Sequence, residues 1–307
     1  MSDQGKRAVT LVVALCLAGT SLFAQMPQGG PPGGPPAAVD VSGIANKALG
    51  IAYASASATQ TLDVYWPSTG KGPWPVIFSV HGGGFAFGDN RGAELASALN
   101  GLERGYAVVG VNYRMSGEAV FPAAIDDVMA AISYVRKYAA KWNLDTRRFA
   151  AWGSSAGGNL VALAGTKGSG DTALQAVVDQ YGPIDFLAMD KQFAASGMKG
   201  QTHDSADSFE SQYLGARISL VPDKVRAANP TTFLDAKDPP FLIQHGDADL
   251  NIPTQQSVDF AAALAATLGK DKVQLDIIKG AEHGGAQFET TANLKRIFDW
   301  LDAALAR

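Results

Sequence analysis

Cysteine occurs once in the 307 residues, at Cys16, inside the apolar opening of the chain. A single thiol allows no internal disulfide, and its place in that opening argues against cysteine catalysis or a thiolate metal site in the body of the protein. Histidine is nearly as scarce, with four residues at positions 81, 203, 245 and 283, and no His, Cys and carboxylate cluster has the spacing of metal ligands. Positive charge is not in excess. With 25 Lys and Arg against 29 Asp and Glu, the net charge is −4, and no basic stripe points to nucleic acid or an anionic membrane surface. No Gly-x-Gly-x-x-Gly follows the first strand, so neither a nucleotide nor a metal cofactor is implied.

Long apolar runs are missing too, apart from Ala8 to Phe23, which follows the basic Lys6 and Arg7 and precedes Ala24-Gln25. That pattern reads as a signal peptide over 1–24, and it falls short of the roughly 20 apolar residues that span a bilayer. It predicts a secreted or periplasmic protein with no membrane attachment after cleavage. A lipid anchor at Cys16 fits less well, because bulky Leu15 stands before it. Residues 25–38 are rich in Gly and Pro and read as a leader, leaving 39–307 for one large domain.

Glycine, with 34 residues, is abundant, and its placement is informative. Gly153-Ser154-Ser155-Ala156-Gly157 is a Gly-x-Ser-x-Gly turn between the strand-like Phe149–Trp152 and a helical run from Asn159. Small neighbours let a serine sit on a sharp strand-to-helix turn, so Ser155 is the candidate nucleophile. His81-Gly82-Gly83-Gly84 follows the apolar strand around Val76, and its backbone can aim N–H groups at an oxyanion. The expected donors are Gly83, Gly84 and Ala156. Two aspartates, Asp247 and Asp249, lie after the strand Phe241–His245; Asp247 reads as a turn residue and Asp249 reaches further over the sheet edge. His283 follows the strand Val273–Ile278 and is the candidate base, whereas His81 and His245 abut glycine turns as structural groups and His203 lies in a polar, solvated segment. Phe85, Phe87 and Tyr181 are candidate pocket residues, with Tyr113 an equal candidate for plain core packing. Asp126 and Asp127 read as first-turn carboxylates of a helix.

Strands expected at Thr61–Tyr65, Val76, Ala107–Asn112, Phe149–Trp152, Ala176–Gln180, Phe241–His245 and Val273–Ile278 alternate with helices over Gly92–Glu103, Ala123–Ala140, Thr254–Leu268 and Leu294–Ala306. This predicts an α/β fold, a mostly parallel sheet covered by helices on both faces. The segment 184–238 lacks a strand and reads as a lid insertion, whose polar tract Gln201–Ser208 argues against a greasy lipase lid.

The order serine, acid, histidine is that of the α/β-hydrolases. Together with Leu62–Pro67, His81–Asp89, Val111–Arg114, Phe121–Val128 and Pro239–Pro253, the motifs resemble the hormone-sensitive-lipase-like esterases. The similarity is to their bacterial feruloyl/acetyl esterase type, and it runs from Leu62 to His283. Relatives of the lipase-like core often carry an acid before the nucleophile; Ser154 stands there instead, which tilts the resemblance toward the feruloyl/acetyl branch. The resemblance implies a cofactor-free esterase with the Ser155–Asp249–His283 triad, acting on short or aromatic acyl esters of small molecules or plant polysaccharides. A peptidase of prolyl-oligopeptidase type and a catalytically silent binding fold are the alternatives.

Overall fold

Among the described residues eight strands form one sheet, ordered from edge to edge as Lys47–Ala52, Thr61–Tyr65, Ala107–Val111, Trp74–Val80, Leu144–Ser154, Ala176–Gln180, Phe241–Gly246 and Val273–Ile278. The computed structural model describes residues 38–306, together with Met1. The expected signal peptide and nearly all of the leader lie outside the described residues. In chain order the first elements are β1 (Lys47–Ala52), β2 (Thr61–Tyr65), β3 (Trp74–Val80), α1 (Ala93–Leu99), β4 (Ala107–Val111), α2 (Ala123–Tyr138) and β5 (Leu144–Ser154). Next come α3 (Ala156–Lys167), β6 (Ala176–Gln180), α4 (Met189–Ser196), α5 (Phe209–Leu214), α6 (Pro222–Ala228) and β7 (Phe241–Gly246). The chain closes with α7 (Gln255–Leu268), β8 (Val273–Ile278), α8 (Ala286–Glu289) and α9 (Thr291–Leu305). β2 pairs antiparallel with β1 and β4, and every other pairing is parallel, from β4 across to β8.

Alternation along β3 sends Val76, Phe78 and Val80 to one face and Ile77 to the other. The first face packs against α2, α3 and α7 through Ile125, Val128, Leu160, Val161, Phe260 and Leu264. The second meets α1 and α9 through Leu95, Ile297, Phe298 and Leu301. Covering both faces makes the inner strands continuously apolar, which is why β4 reads Ala-Val-Val-Gly-Val with every residue buried. Among the described residues no helix is long and apolar enough to cross a membrane.

Three expectations need correction. The sheet opens one strand earlier than Thr61: β1 is a half-exposed edge strand whose register shifts between Ala48 and Ile51, so it lacks a clean apolar alternation. Asp127 is not a dipole-complementing surface group. It is buried and grips Arg114 through two oxygens, at 2.8 Å each, while accepting a 2.6 Å bond from Gln60 Nε2. His203 is 2% exposed rather than solvated. Its Nδ1 lies 3.1 Å from Glu210 Oε2 and its ring stacks with Phe193, inside an insertion that folds as α4, α5 and α6. Burial opposes protonation of His203, and the hydrogen bond and charge of Glu210 override it, leaving its pKa raised.

Candidate functional site

The turn between β5 and α3 carries Ser155 at φ 52°, ψ −122°, a left-handed-side backbone that non-glycine residues avoid. A bond from Ser155 N–H to the Gln180 carbonyl, 2.9 Å, holds the turn over the sheet. The flanking glycines are required by space: a Cβ on Gly153 would run into the Gly157 carbonyl, and one on Gly157 into that of Val80. The serine is thereby lifted to the edge where the parallel strands end.

His283 meets it there. Its Nε2 is 2.8 Å from Ser155 Oγ and its Nδ1 2.7 Å from Asp249 Oδ2. Asp249, fully buried, also accepts backbone N–H bonds from Asn251 (2.8 Å) and Ile252 (2.9 Å) through Oδ1. Burial alone would raise its pKa, but the hydrogen bonds and charges of His245 and His283 overcome that and hold the carboxyl well below the usual range. Asp249 is thus held as an anion beside His283. Asp247 takes no part in this chain; its Oδ1 accepts the Gly280 N–H at 2.5 Å and ties the two loops together. His245 is buried between Ser257 Oγ (2.7 Å) and Asp249 Oδ2 (3.2 Å), so it supports the acid from behind.

Gly82–Gly84 lies on the other side of Ser155. Gly83 and Gly84 have φ of +104° and +57°, a conformation open to glycine, and a Cβ on Gly83 would strike the Phe87 carbonyl. Among the described residues the N–H groups of Gly83, Gly84 and Ala156 donate to no protein acceptor. The buried His81 and Tyr113 brace this loop: their rings stack at 4.4 Å, and the Tyr113 hydroxyl donates to the His81 carbonyl at 2.9 Å. Tyr113 is therefore a core residue in direct service of the loop.

A cleft of about 280 Å³ opens above Ser155. All three expected pocket aromatics border it, in different ways. Phe85 is 1% exposed and stacked on Tyr213 at 3.9 Å, so it is a floor residue. Phe87 is 47% exposed on the rim. Tyr181, at φ 45°, sets its ring edge-on to His283 at 4.9 Å, and burial pushes its hydroxyl pKa up, keeping it neutral. Sequence reasoning read the insertion as a lid but named none of the residues it brings to the cleft. Phe209 meets Phe87 edge-to-face at 5.6 Å and lies so close to Gly84 that a Cβ there would clash, while Gln201 and Glu210 add polar groups. Glu94, from α1, also borders the cleft and was not expected. Its only sequence signal is an acid in the first turn of a helix. Among the described residues no three His, Cys, Asp or Glu side chains gather as a metal-ligand set.

Comparison with known proteins agrees with this architecture. The BD-FAE family model matches residues 62–264. The chain is 30% identical over 201 residues to the esterase LipQ of Mycobacterium tuberculosis, an alignment covering 62% of this chain and 45% of LipQ. It is 30% identical over 243 residues to the esterase LipC of the same organism, covering 74% of this chain and 58% of LipC. The chain thus spans about half the length of these curated relatives. Among solved structures, a truncated carbohydrate esterase from gut microbiota superposes with a TM-score of 0.77 at 29% identity, covering 88% of this chain and 100% of that one. A bifunctional GH43-CE protein of Bacteroides eggerthii gives 0.75 at 30% identity, over 84% of this chain and 35% of that one.

Proposed function

Because the chain belongs to the BD-FAE family and carries an α/β-hydrolase fold, we infer that it is a serine carboxylic-ester hydrolase working through an acyl-enzyme. The observation that supports this most is the unbroken chain from Ser155 Oγ through His283 to buried, ionised Asp249, facing three N–H groups with no protein acceptor. A serine hydroxyl is a poor nucleophile at neutral pH; the imidazole Nε2 of His283, at 2.8 Å, is placed to take its proton as the oxygen attacks an ester carbonyl. Asp249 fixes the tautomer, with the proton on Nδ1 and the lone pair of Nε2 toward the serine, and stabilises the imidazolium that forms. The tetrahedral oxyanion then accepts from the Gly83, Gly84 and Ala156 N–H groups, about 3 kcal/mol of barrier for each donor. Ala156 opens α3, so the positive end of the helix dipole adds to the same field. His283 returns the proton to the departing alcohol, and a water activated by His283 releases the acid.

The substrate we propose is a short-chain or aromatic acyl ester, with acetyl or feruloyl groups on plant polysaccharide as the natural form. Its support is the carbohydrate-esterase neighbours and an open cleft with exposed Phe87 and Phe209 beside polar Gln201 and Asn251, suited to a sugar-borne ester more than to a lipid. The signal-peptide pattern over 1–24 supports an activity outside the cytoplasm. Hydrolysis of p-nitrophenyl acetate, butyrate and octanoate, beside Ser155→Ala and with acetylated and feruloylated xylan, tests the proposal. Turnover fastest on the shorter esters and reduced by at least about 10³-fold in Ser155→Ala is expected. A folded protein inert on all of them would refute it.

A further inference from the structure

Glu94 belongs to none of the three groups the mechanism uses, yet it touches two of the elements that carry them. One oxygen, Oε1, accepts both the Gly82 N–H (3.1 Å) and the Ser154 hydroxyl (3.0 Å). Gly82 leads into the glycine loop, and Ser154 is the last residue of β5, adjacent to Ser155. The two segments press together: a Cβ on Gly82 would lie 2.9 Å from the Ser154 carbonyl and 3.2 Å from Ser155 Cβ. Ser154 is 2% exposed, and Glu94 is half-buried, bordering both the main cleft and a smaller cavity behind it lined by Trp152, Tyr181 and Phe288.

We propose that Glu94 is a positioning residue that locks the oxyanion loop to the nucleophile turn through its single bridging oxygen. This rests on the esterase activity proposed above. The Gly83 and Gly84 N–H groups come from one segment and that of Ala156 from another, so the three converge on one oxyanion only if the segments keep register. The glycines that free the loop to take positive φ also leave it soft. Among the described residues, the Gly82 N–H is the loop amide tied down by a side chain. A carboxylate this close to a developing anion would oppose it electrostatically. The contribution of Glu94 is therefore geometric, and because both bonds end on the same oxygen, an amide can make them equally well.

The test is steady-state kinetics on p-nitrophenyl acetate with Glu94→Ala, Glu94→Gln and Ser154→Ala, together with affinity for a trifluoromethyl ketone that mimics the tetrahedral state and for the acetate product. Misplacing a donor pair by a fraction of an ångström is expected to lower kcat of Glu94→Ala about 10- to 100-fold with KM within about three-fold. Affinity for the ketone should fall in parallel, while that for acetate does not. Glu94→Gln retains kcat to within about three-fold, and Ser154→Ala, which keeps the Gly82 bond, falls between. Ser154→Ala added to Glu94→Ala costs little more, because both remove one bridge.

A Glu94→Ala enzyme with wild-type kcat and ketone affinity would overturn the proposal. So would a Glu94→Gln enzyme as slow as Glu94→Ala, which would mean that charge is what matters. Should Glu94→Ala fail to fold, Glu94→Gln and Ser154→Ala decide: the expected order of kcat supports the bridge, and equal loss in both contradicts it. Wild-type enzyme inert toward every ester would remove the esterase proposal itself, whereas active wild type with an unaffected Glu94→Ala removes the bridge alone.

Discussion

At the scale of single residues, the fold holds one buried carboxylate in a charge state the site uses and tolerates another where charge is costly. Asp249 is buried but supplied with four donors, so it stays an anion. Asp179, at the end of β6, is buried with a single bond, from Gly182 N–H to Oδ1 (3.0 Å), and its Oδ2 has no partner among the described residues. Burial raises its pKa to about 7, against the lowering effect of the Gly182 bond. An unfolded chain ionises this group near the ordinary carboxylate pKa, so above that value ionisation favours unfolding, progressively until the folded group also ionises near pH 7. Asp179→Asn should therefore leave stability almost unchanged near pH 4 and raise it increasingly toward pH 7. The upper bound is about 4 kcal/mol if the amide packs as the acid does. Urea unfolding of both proteins across this pH range checks it; a stability difference independent of pH would contradict the assignment.

Among the elements, the β5–α3 turn is the most constrained. α3 starts so close to the end of β3 that Gly157 abuts the carbonyls of Val80 and His81, neither of which can move without disturbing the parallel ladder or the glycine loop. Gly157→Ala is accordingly expected to destabilise the protein by about 3 kcal/mol or more, or to prevent folding, measured by thermal or urea unfolding. A wild-type midpoint would show that the turn has slack this packing denies. This turn was legible in the sequence for the same reason that it is constrained: backbone crowding demands glycine at fixed spacing. β1 and the helices of the insertion were not. β1 lies at an edge with Gly50 at φ 63° and half its residues in water, so no alternation marks it. The insertion buries His203 by pairing it with Glu210 seven residues on, a contact that composition disguises as solvated polarity.

At the scale of the whole molecule, the parallel sheet explains why groups far apart in sequence converge. Gly82, Ser155, Asp249 and His283 each follow the carboxyl end of a strand, β3, β5, β7 and β8, and parallel pairing brings those ends to one edge. The inner strands' places along the chain and the loops after them could thus be read from apolar runs and glycines, and with them the residues that meet at the candidate site. Apart from Phe87 the rim could not, because Phe209, Gln201 and Glu94 reach it through tertiary packing of α1 and the insertion, which leaves no local pattern. The proposed chemistry depends first on Ser155 being the nucleophile of an ester hydrolase. The most direct measurement is peptide mapping by mass spectrometry after reaction with a fluorophosphonate, with residual turnover of p-nitrophenyl acetate followed in the same samples. A single adduct on Ser155, absent from Ser155→Ala and slowed strongly in His283→Ala, with turnover lost in proportion to labelling, is expected. An adduct on another residue, or turnover that survives full labelling of Ser155, would contradict it.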